Sequence, residues 1–264
     1  MLALTPIRFE KIWGHEDWIA STHPDGRQDD FAALAGDFPL LVKIIQANDT
    51  LSVQVHPDDE TAARLEGAGA VGKTECWYVL AAEPGARIVY GLQKNCTTDE
   101  LRCAIHARTL EGKLNSVPVR QGDFAFIPAG SVHAIGGGVR LLEVQQNCNI
   151  TYRLYDWGRP RELHEEKGLA SVRHADRAPV APLRDSFSCA YFTLQKRDLR
   201  DRLSWQCEQT GQLVFIVSGN GTIHAETPEH AQTLGFQQEQ IFALAAGETV
   251  TLSGAGEIII ISAN

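Results

Sequence analysis

The chain has 264 residues, 44% of them hydrophobic, and a formal net charge of −9. That length allows one large or two modest packed domains, and the charge argues against a nucleic-acid or anionic-membrane partner, though a few cations in one cleft can still hold a phosphate. No apolar run approaches the roughly 18 to 20 residues of a bilayer span and the N-terminus shows no charged-then-apolar leader, so a soluble, cytoplasmic protein is expected.

In chain order, residues 1–40 combine short apolar runs with turn residues and predict short strands and loops. Leu40 to Ile45 is a β-prone run holding one lysine, Lys43, which either snorkels to solvent or meets an anion in a pocket. After the turn signal Asn48-Asp49, Leu51 to His56 alternates, so Ser52, Gln54 and His56 share one strand face and Leu51, Val53 and Val55 the other. An amide oxygen and an imidazole aimed the same way offer two neutral ligands to a metal; a merely polar surface strand fits the same residues. Asp58 to Gly67 predicts a short helix with a glycine stop. Lys73 to Leu80 reads as a strand that puts Glu75 and Trp77 on one face, with Arg87 to Tyr90 as its hairpin partner across Glu83-Pro84-Gly85.

Thr98 to Leu110 carries the clearest helical pattern, opened by a capping box between Thr97 and Glu100, with His106 on the solvated side. Strand-like segments then recur at short intervals up to Gln145, separated by glycine turns, which indicates an all-β barrel or sandwich. A helix is expected over 161–172 and a linker over 173–185. From 186 to 264 further strands with glycine turns, including Ser218-Gly219-Asn220-Gly221, predict a second β lobe, with His224 and His230 as surface residues. The six cysteines (Cys76, Cys96, Cys103, Cys148, Cys189 and Cys207) lack C-x-x-C spacing, so neither a thiolate zinc site nor a secreted disulfide framework is suggested.

Residues 122–133 have the spacing G-x5-P-x-G-x2-H, which resembles the second motif of the cupin family; its glycines permit tight turns either side of a short strand, so that His133 points into a barrel. Taken with FPLLVKIIQANDTLSVQVHPDDE, GKTECWYVL, LLEVQQ, TYRLYDWGR and RELHEEK, in that order, residues 8–170 resemble the type I phosphomannose isomerases in their short bacterial form. The resemblance implies two cupin-like jelly-roll lobes with a few short helices, a catalytic lobe over 1–172 and a degenerate one over 186–264. It implies one Zn²⁺ per chain held by Gln54, His56, Glu75 and His133, and a small-molecule sugar phosphate as partner. The implied reaction interconverts mannose 6-phosphate and fructose 6-phosphate through a cis-enediol, with Arg153 and Glu143 as catalytic residues and Lys43, Ser52 and Lys73 near the substrate.

Without the resemblance, Arg153 would be read as an ion-pair partner of Asp156 or Glu143. Two departures from the family pattern stand out: Cys148-Asn149-Ile150 replaces a Ser-Asp pair before the TYR arginine, and the large helical insertion of longer members is missing. A metal-dependent oxygenase or epimerase, and a sugar-binding or regulatory cupin without turnover, stay open as alternatives.

Overall fold

Alternating and β-branched runs become strands over nearly half of the chain, and the computed structural model describes all residues except Asn95 and 175–177. The all-β expectation holds, with four short α-helices among the described residues. Two units are interleaved in sequence, one of Arg8–Asp17 and Val42–Pro182, the other of Met1–Ile7, Trp18–Leu41 and Leu183–Asn264. Residues 1–7 and 18–41, which chain order alone places with the N-terminal lobe, therefore group with the C-terminal strands.

Two antiparallel sheets matter for the site. The five-stranded one runs Tyr152–Tyr155, Val53–Val55, His133–Ile135, Arg87–Leu92, Leu114–Pro118; in the seven-stranded one, Asp123–Ile127, Glu75–Ala82, Val139–Gln146 and Leu40–Ala47 lie side by side. Strand alternation divides the apolar residues of the five-stranded sheet between two cores. Ile88, Tyr90 and Ile135 pack with Ile45, Trp77, Val79, Ile127 and Leu141 of the seven-stranded sheet. Val53, Val55, Val89, Ala134, Tyr152 and Leu154 point the other way, onto Leu101, Ile105 and Leu169 of helices. Leu51 joins the first core and so departs from the face expected for it.

Glu75–Ala82 and Arg87–Leu92 do not form the expected hairpin. The first pairs with Val139–Gln146 and Asp123–Ile127, the second with His133–Ile135 and Leu114–Pro118. The tight turn at Glu83-Pro84-Gly85 carries the chain from one sheet to the other, as Greek-key connections do.

The helix Asp59–Glu66 is capped by Asp58, whose carboxylate accepts the Thr61 N–H at 2.8 Å. Thr98–His106 has its capping box but stops before Leu110, because Arg108 takes φ 56° and a 3-10 turn follows. Asp29–Ala35 is a helix where strands and loops were expected, its Phe31 and Ala32 buried. The helix expected over 161–172 is shorter, Glu165–Ser171, with His164 at its N-cap position. In the expected linker, part of which lies outside the described residues, Ala181–Pro182 adds a short strand to Asp123–Ile127.

Ser218-Gly219-Asn220-Gly221 is not a turn. The strand Gln212–Glu226 continues through it, past an irregularity between Ile216 and Ser218, and pairs antiparallel with Thr249–Ala263, Gly219 opposite Gly256 and Gly221 opposite Gly254. A Cβ on Gly219 would stand 1.9 Å from the Ala255 carbonyl oxygen, so the glycines allow close backbone approach rather than reversal.

Candidate metal centre

Register brings distant residues together. His133 lies opposite Gln54, which on its other side lies opposite Arg153; on the seven-stranded sheet Glu75 lies opposite Gln145, and Trp77 opposite Glu143. Strand period two turns Gln54 away from the core that holds Val53 and Val55, and His56 follows just beyond the strand end, where Pro57 stops it.

His56, Glu75 and His133 are buried, with one ligand atom from each within 4.8 Å of the others. His56 Nε2 is 3.5 Å from Glu75 Oε2 and His133 Nε2 is 3.4 Å from Glu75 Oε1. Each imidazole has its far nitrogen on a backbone carbonyl: His56 Nδ1 donates to Ile150 at 2.8 Å and His133 Nδ1 to Ser131 at 2.9 Å. Those bonds place the proton on Nδ1 and leave both Nε2 atoms as acceptors beside Glu75, as in metal-binding histidines; here His56 Nε2 takes the Lys73 ammonium at 3.1 Å. Burial, then the charge of Lys73, holds the His56 pKa well below the usual imidazole range, so the ring is neutral. Gln54 Nε2 lies 3.3 Å from His133 Nε2, so ligation by Gln54 needs its amide turned by half a rotation to present Oε1.

Beside this group is a buried charge network. Lys73 Nζ is 2.7 Å from Glu75 Oε2 and 3.9 Å from Glu143 Oε1; Lys43 Nζ is 3.3 Å from Glu143 Oε1 and 3.7 Å from Glu16 Oε2. Lys43 therefore meets an anion in a pocket, the second of its two open readings. Buried ions persist only when paired in this way. Burial pushes the Glu75 pKa up to about 7, and the charge of Glu143 adds to it. For Glu143 burial acts in the same direction, but Lys73, Lys43 and the Trp77 N–H outweigh it and keep the carboxyl below its ordinary range. Glu143 is a buried, ionised carboxylate in the wall of a polar cavity.

Lys43, Ser52, Gln54, Lys73, Glu143 and Arg153 all line one cavity of about 150 Å³, several times the ~30 Å³ share of one liquid water. Arg153 does not make the ion pair considered for it: its Nη1 donates to the Glu162 carbonyl at 2.7 Å, and Asp156 is taken by Arg159 and Arg161. Three charged residues of the wall escaped the sequence reading, Lys11, Glu16 and Arg161. Lys11 and Glu16 lie on strands whose sequence carries no site motif, and Arg161, although it opens the RELHEEK segment, reaches the cavity from the loop after Tyr152–Tyr155.

Comparison with known proteins agrees with the geometry. A family model described as the catalytic domain of type I phosphomannose isomerase matches residues 10–78. A putative mannose-6-phosphate isomerase of Bacillus subtilis is 31% identical over 278 residues, covering 84% of this chain and 87% of that protein. The chain belongs to the type I phosphomannose isomerase family. The Streptococcus mutans mannose-6-phosphate isomerase is 39% identical over 213 residues, but the match spans only 66% of its length and 75% of this chain. Among solved structures, the mannose 6-phosphate isomerase of Bacillus subtilis superposes with a TM-score of 0.82 at 27% identity, covering 98% of both chains.

The residues of this family member fit a small divalent ion. Tetrahedral ligands about 2.0 to 2.1 Å from a zinc ion sit about 3.3 Å apart; His133 Nε2 and Glu75 Oε1, 3.4 Å apart, meet that spacing, and His56 approaches the other oxygen of the same carboxylate. Glu75 Oε1 is buried without a hydrogen-bond partner, an arrangement that is costly unless a cation takes the lone pair. The donor set of nitrogens and oxygens, with no thiolate, suits zinc better than soft-metal chemistry.

Proposed function

We propose that the protein is a zinc-dependent aldose–ketose isomerase that interconverts mannose 6-phosphate and fructose 6-phosphate through a cis-enediol, with one zinc per chain held by Gln54, His56, Glu75 and His133. The observation that carries this reading is the two inward-facing Nε2 atoms meeting the Glu75 carboxylate beside a polar cavity. The curated relatives support it by name. A bound zinc ion supplies Lewis-acid polarisation of the sugar oxygens.

This chain's residues do the rest. A proton leaves C2 of the aldose and returns at C1, so the site needs a buried group present in its deprotonated form. Glu143, held ionised by two lysines, is our candidate. The negative charge that develops on the enediolate oxygens needs a fixed cation, and the Arg153 guanidinium, which stays protonated, is suited to stabilise it and unsuited to act as a base. Lys43, Ser52 and Lys73 supply ammonium and hydroxyl donors for the rest of the sugar phosphate.

A coupled assay with mannose 6-phosphate, run before and after chelation and zinc return, tests the proposal. Fructose 6-phosphate formation lost with the metal and restored by zinc supports it. Binding of the sugar without turnover in the zinc-loaded protein contradicts it in favour of a non-catalytic sugar-binding role.

A further inference from the structure

Tyr152–Tyr155 is the outermost strand of its sheet, so Arg153, which faces Gln54 across its inner side, has backbone groups that need partners on the outer side. The segment after Arg161 supplies them. The Arg153 N–H donates to His164 Nδ1 at 3.0 Å, the His164 N–H donates to the Arg153 carbonyl at 2.7 Å, and the Arg153 guanidinium reaches the Glu162 carbonyl. His164 thus takes the place of a neighbouring strand residue, with its ring as the acceptor that a carbonyl would otherwise be. It occupies the N-cap position of Glu165–Ser171 yet makes no side-chain cap bond, because that nitrogen is turned to Arg153 instead. The carbonyl of His164 still accepts the Gly168 N–H at 2.8 Å, which fixes the residue to the helix.

We propose that His164 is a positioning residue for Arg153: its neutral ring, accepting the Arg153 backbone N–H, aims the guanidinium into the cavity, and protonation of the ring releases it. The inference rests on Arg153 acting on substrate as proposed above. An imidazolium has two N–H donors and no acceptor, so the bond to Arg153 N–H exists only in the neutral form. The charged neighbours divide over this point. Arg153 of the edge strand and Lys167 of the following helix oppose a proton on His164, whereas Glu162 in its own segment and Glu66 of Asp59–Glu66 favour it. Tyr152 presents its ring, 6.3 Å away between centroids. Across the helix pair, Arg102 and His106 are engaged with Glu165 and Glu166. Burial, then Arg153, lowers the His164 pKa below the ordinary value, so the acceptor is intact at neutral pH.

Steady-state turnover of mannose 6-phosphate by the zinc-loaded protein from roughly pH 5 to 8 tests this, with zinc content measured on each sample. His164→Asn offers an amide oxygen to the same N–H and does not titrate; His164→Ala offers nothing. We expect His164→Ala to lose about tenfold to a hundredfold in kcat with KM and zinc content near the wild-type values, the scale of a misplaced catalytic group. His164→Asn should restore kcat to within about threefold and lack the one-proton fall in activity expected of the wild type below the ordinary imidazole range. Wild-type kcat in His164→Ala, or an acid profile of His164→Asn that superimposes on the wild type, overturns the inference. Arg153→Lys, run alongside, separates the two levels of argument. If it abolishes turnover while both His164 variants behave as wild type, the positioning role fails and the proposed function stands; if it turns over at the wild-type rate, the role of Arg153 fails and that of His164 with it.

Discussion

Trp77 donates its indole N–H to Glu143 Oε2 at 3.0 Å across a direct cross-strand pair, while the other oxygen of Glu143 faces Lys43 and Lys73. The carboxylate is thereby held in one orientation by a neutral donor on one side and two ammonium groups on the other. The same Trp77 ring stands edge-on to His133, 5.4 Å between centroids, so it also bears on the candidate metal ligands.

Replacing Trp77 by Phe keeps most of the packing and removes the N–H. A buried carboxylate oxygen then loses its donor, which costs about 1.5 to 3 kcal/mol for a bond to a charged group. The Glu143 pKa rises, since the lost bond favoured the ionised form. Urea unfolding should show the lower stability, and kcat should fall with little change in KM.

Asp156 binds two arginines, with Arg159 Nη2 at 2.7 Å, Arg161 Nε at 2.6 Å and Arg161 Nη2 at 2.8 Å. Burial raises its pKa, but the hydrogen bonds from Arg161 and Arg159 outweigh that, so the folded value lies below the ordinary 3.8. The stabilisation is therefore complete above the unfolded pKa and is lost as pH falls through the folded one. Asp156→Asn should be about 1 to 3 kcal/mol less stable at neutral pH, and its stability should change less than that of the wild type on acidification below about pH 4. Because Arg161 lines the cavity, KM for the sugar phosphate should rise as well.

Gly219→Ala probes the glycine crossing in the other unit. At φ 95° and with a carbonyl oxygen 1.9 Å from the new Cβ, the two long strands must separate locally. A loss of about 3 kcal/mol or more is expected, with a fall of several degrees in Tm. Had the segment been the turn that its sequence suggests, alanine there would cost far less, so thermal unfolding distinguishes the two.

These cases show what was legible in the chain and what was not. Alternation from Val53 to His56 and the glycine-proline frame before His133 are local signals, and the structure brings both segments to Glu75. Partner choice is not local. The segments Glu75–Ala82 and Arg87–Leu92 look like a hairpin because a tight turn joins them, and only the competing pairings of each strand assign them to different sheets. Glycine likewise signals a backbone that needs room or a positive φ without saying which, so Gly219 and Gly221 read as a turn. Lys11 and Glu16 were invisible as cavity residues because their role depends on strand order rather than on neighbours in sequence, and Arg161 because its place depends on the loop contact with Asp156. The Cys148-Asn149-Ile150 departure also gains a structural meaning: the Ile150 carbonyl holds the His56 ring, and a main-chain acceptor survives a change of side chain.

Zinc K-edge X-ray absorption on protein loaded with one equivalent of the metal tests the central claim most directly. The account predicts a first shell of nitrogen and oxygen only, about 2.0 to 2.2 Å from the ion, with the imidazole scattering of two histidines that drops by half in His133→Ala. A sulfur shell at about 2.3 Å, or a spectrum unchanged by removal of His133, would contradict it.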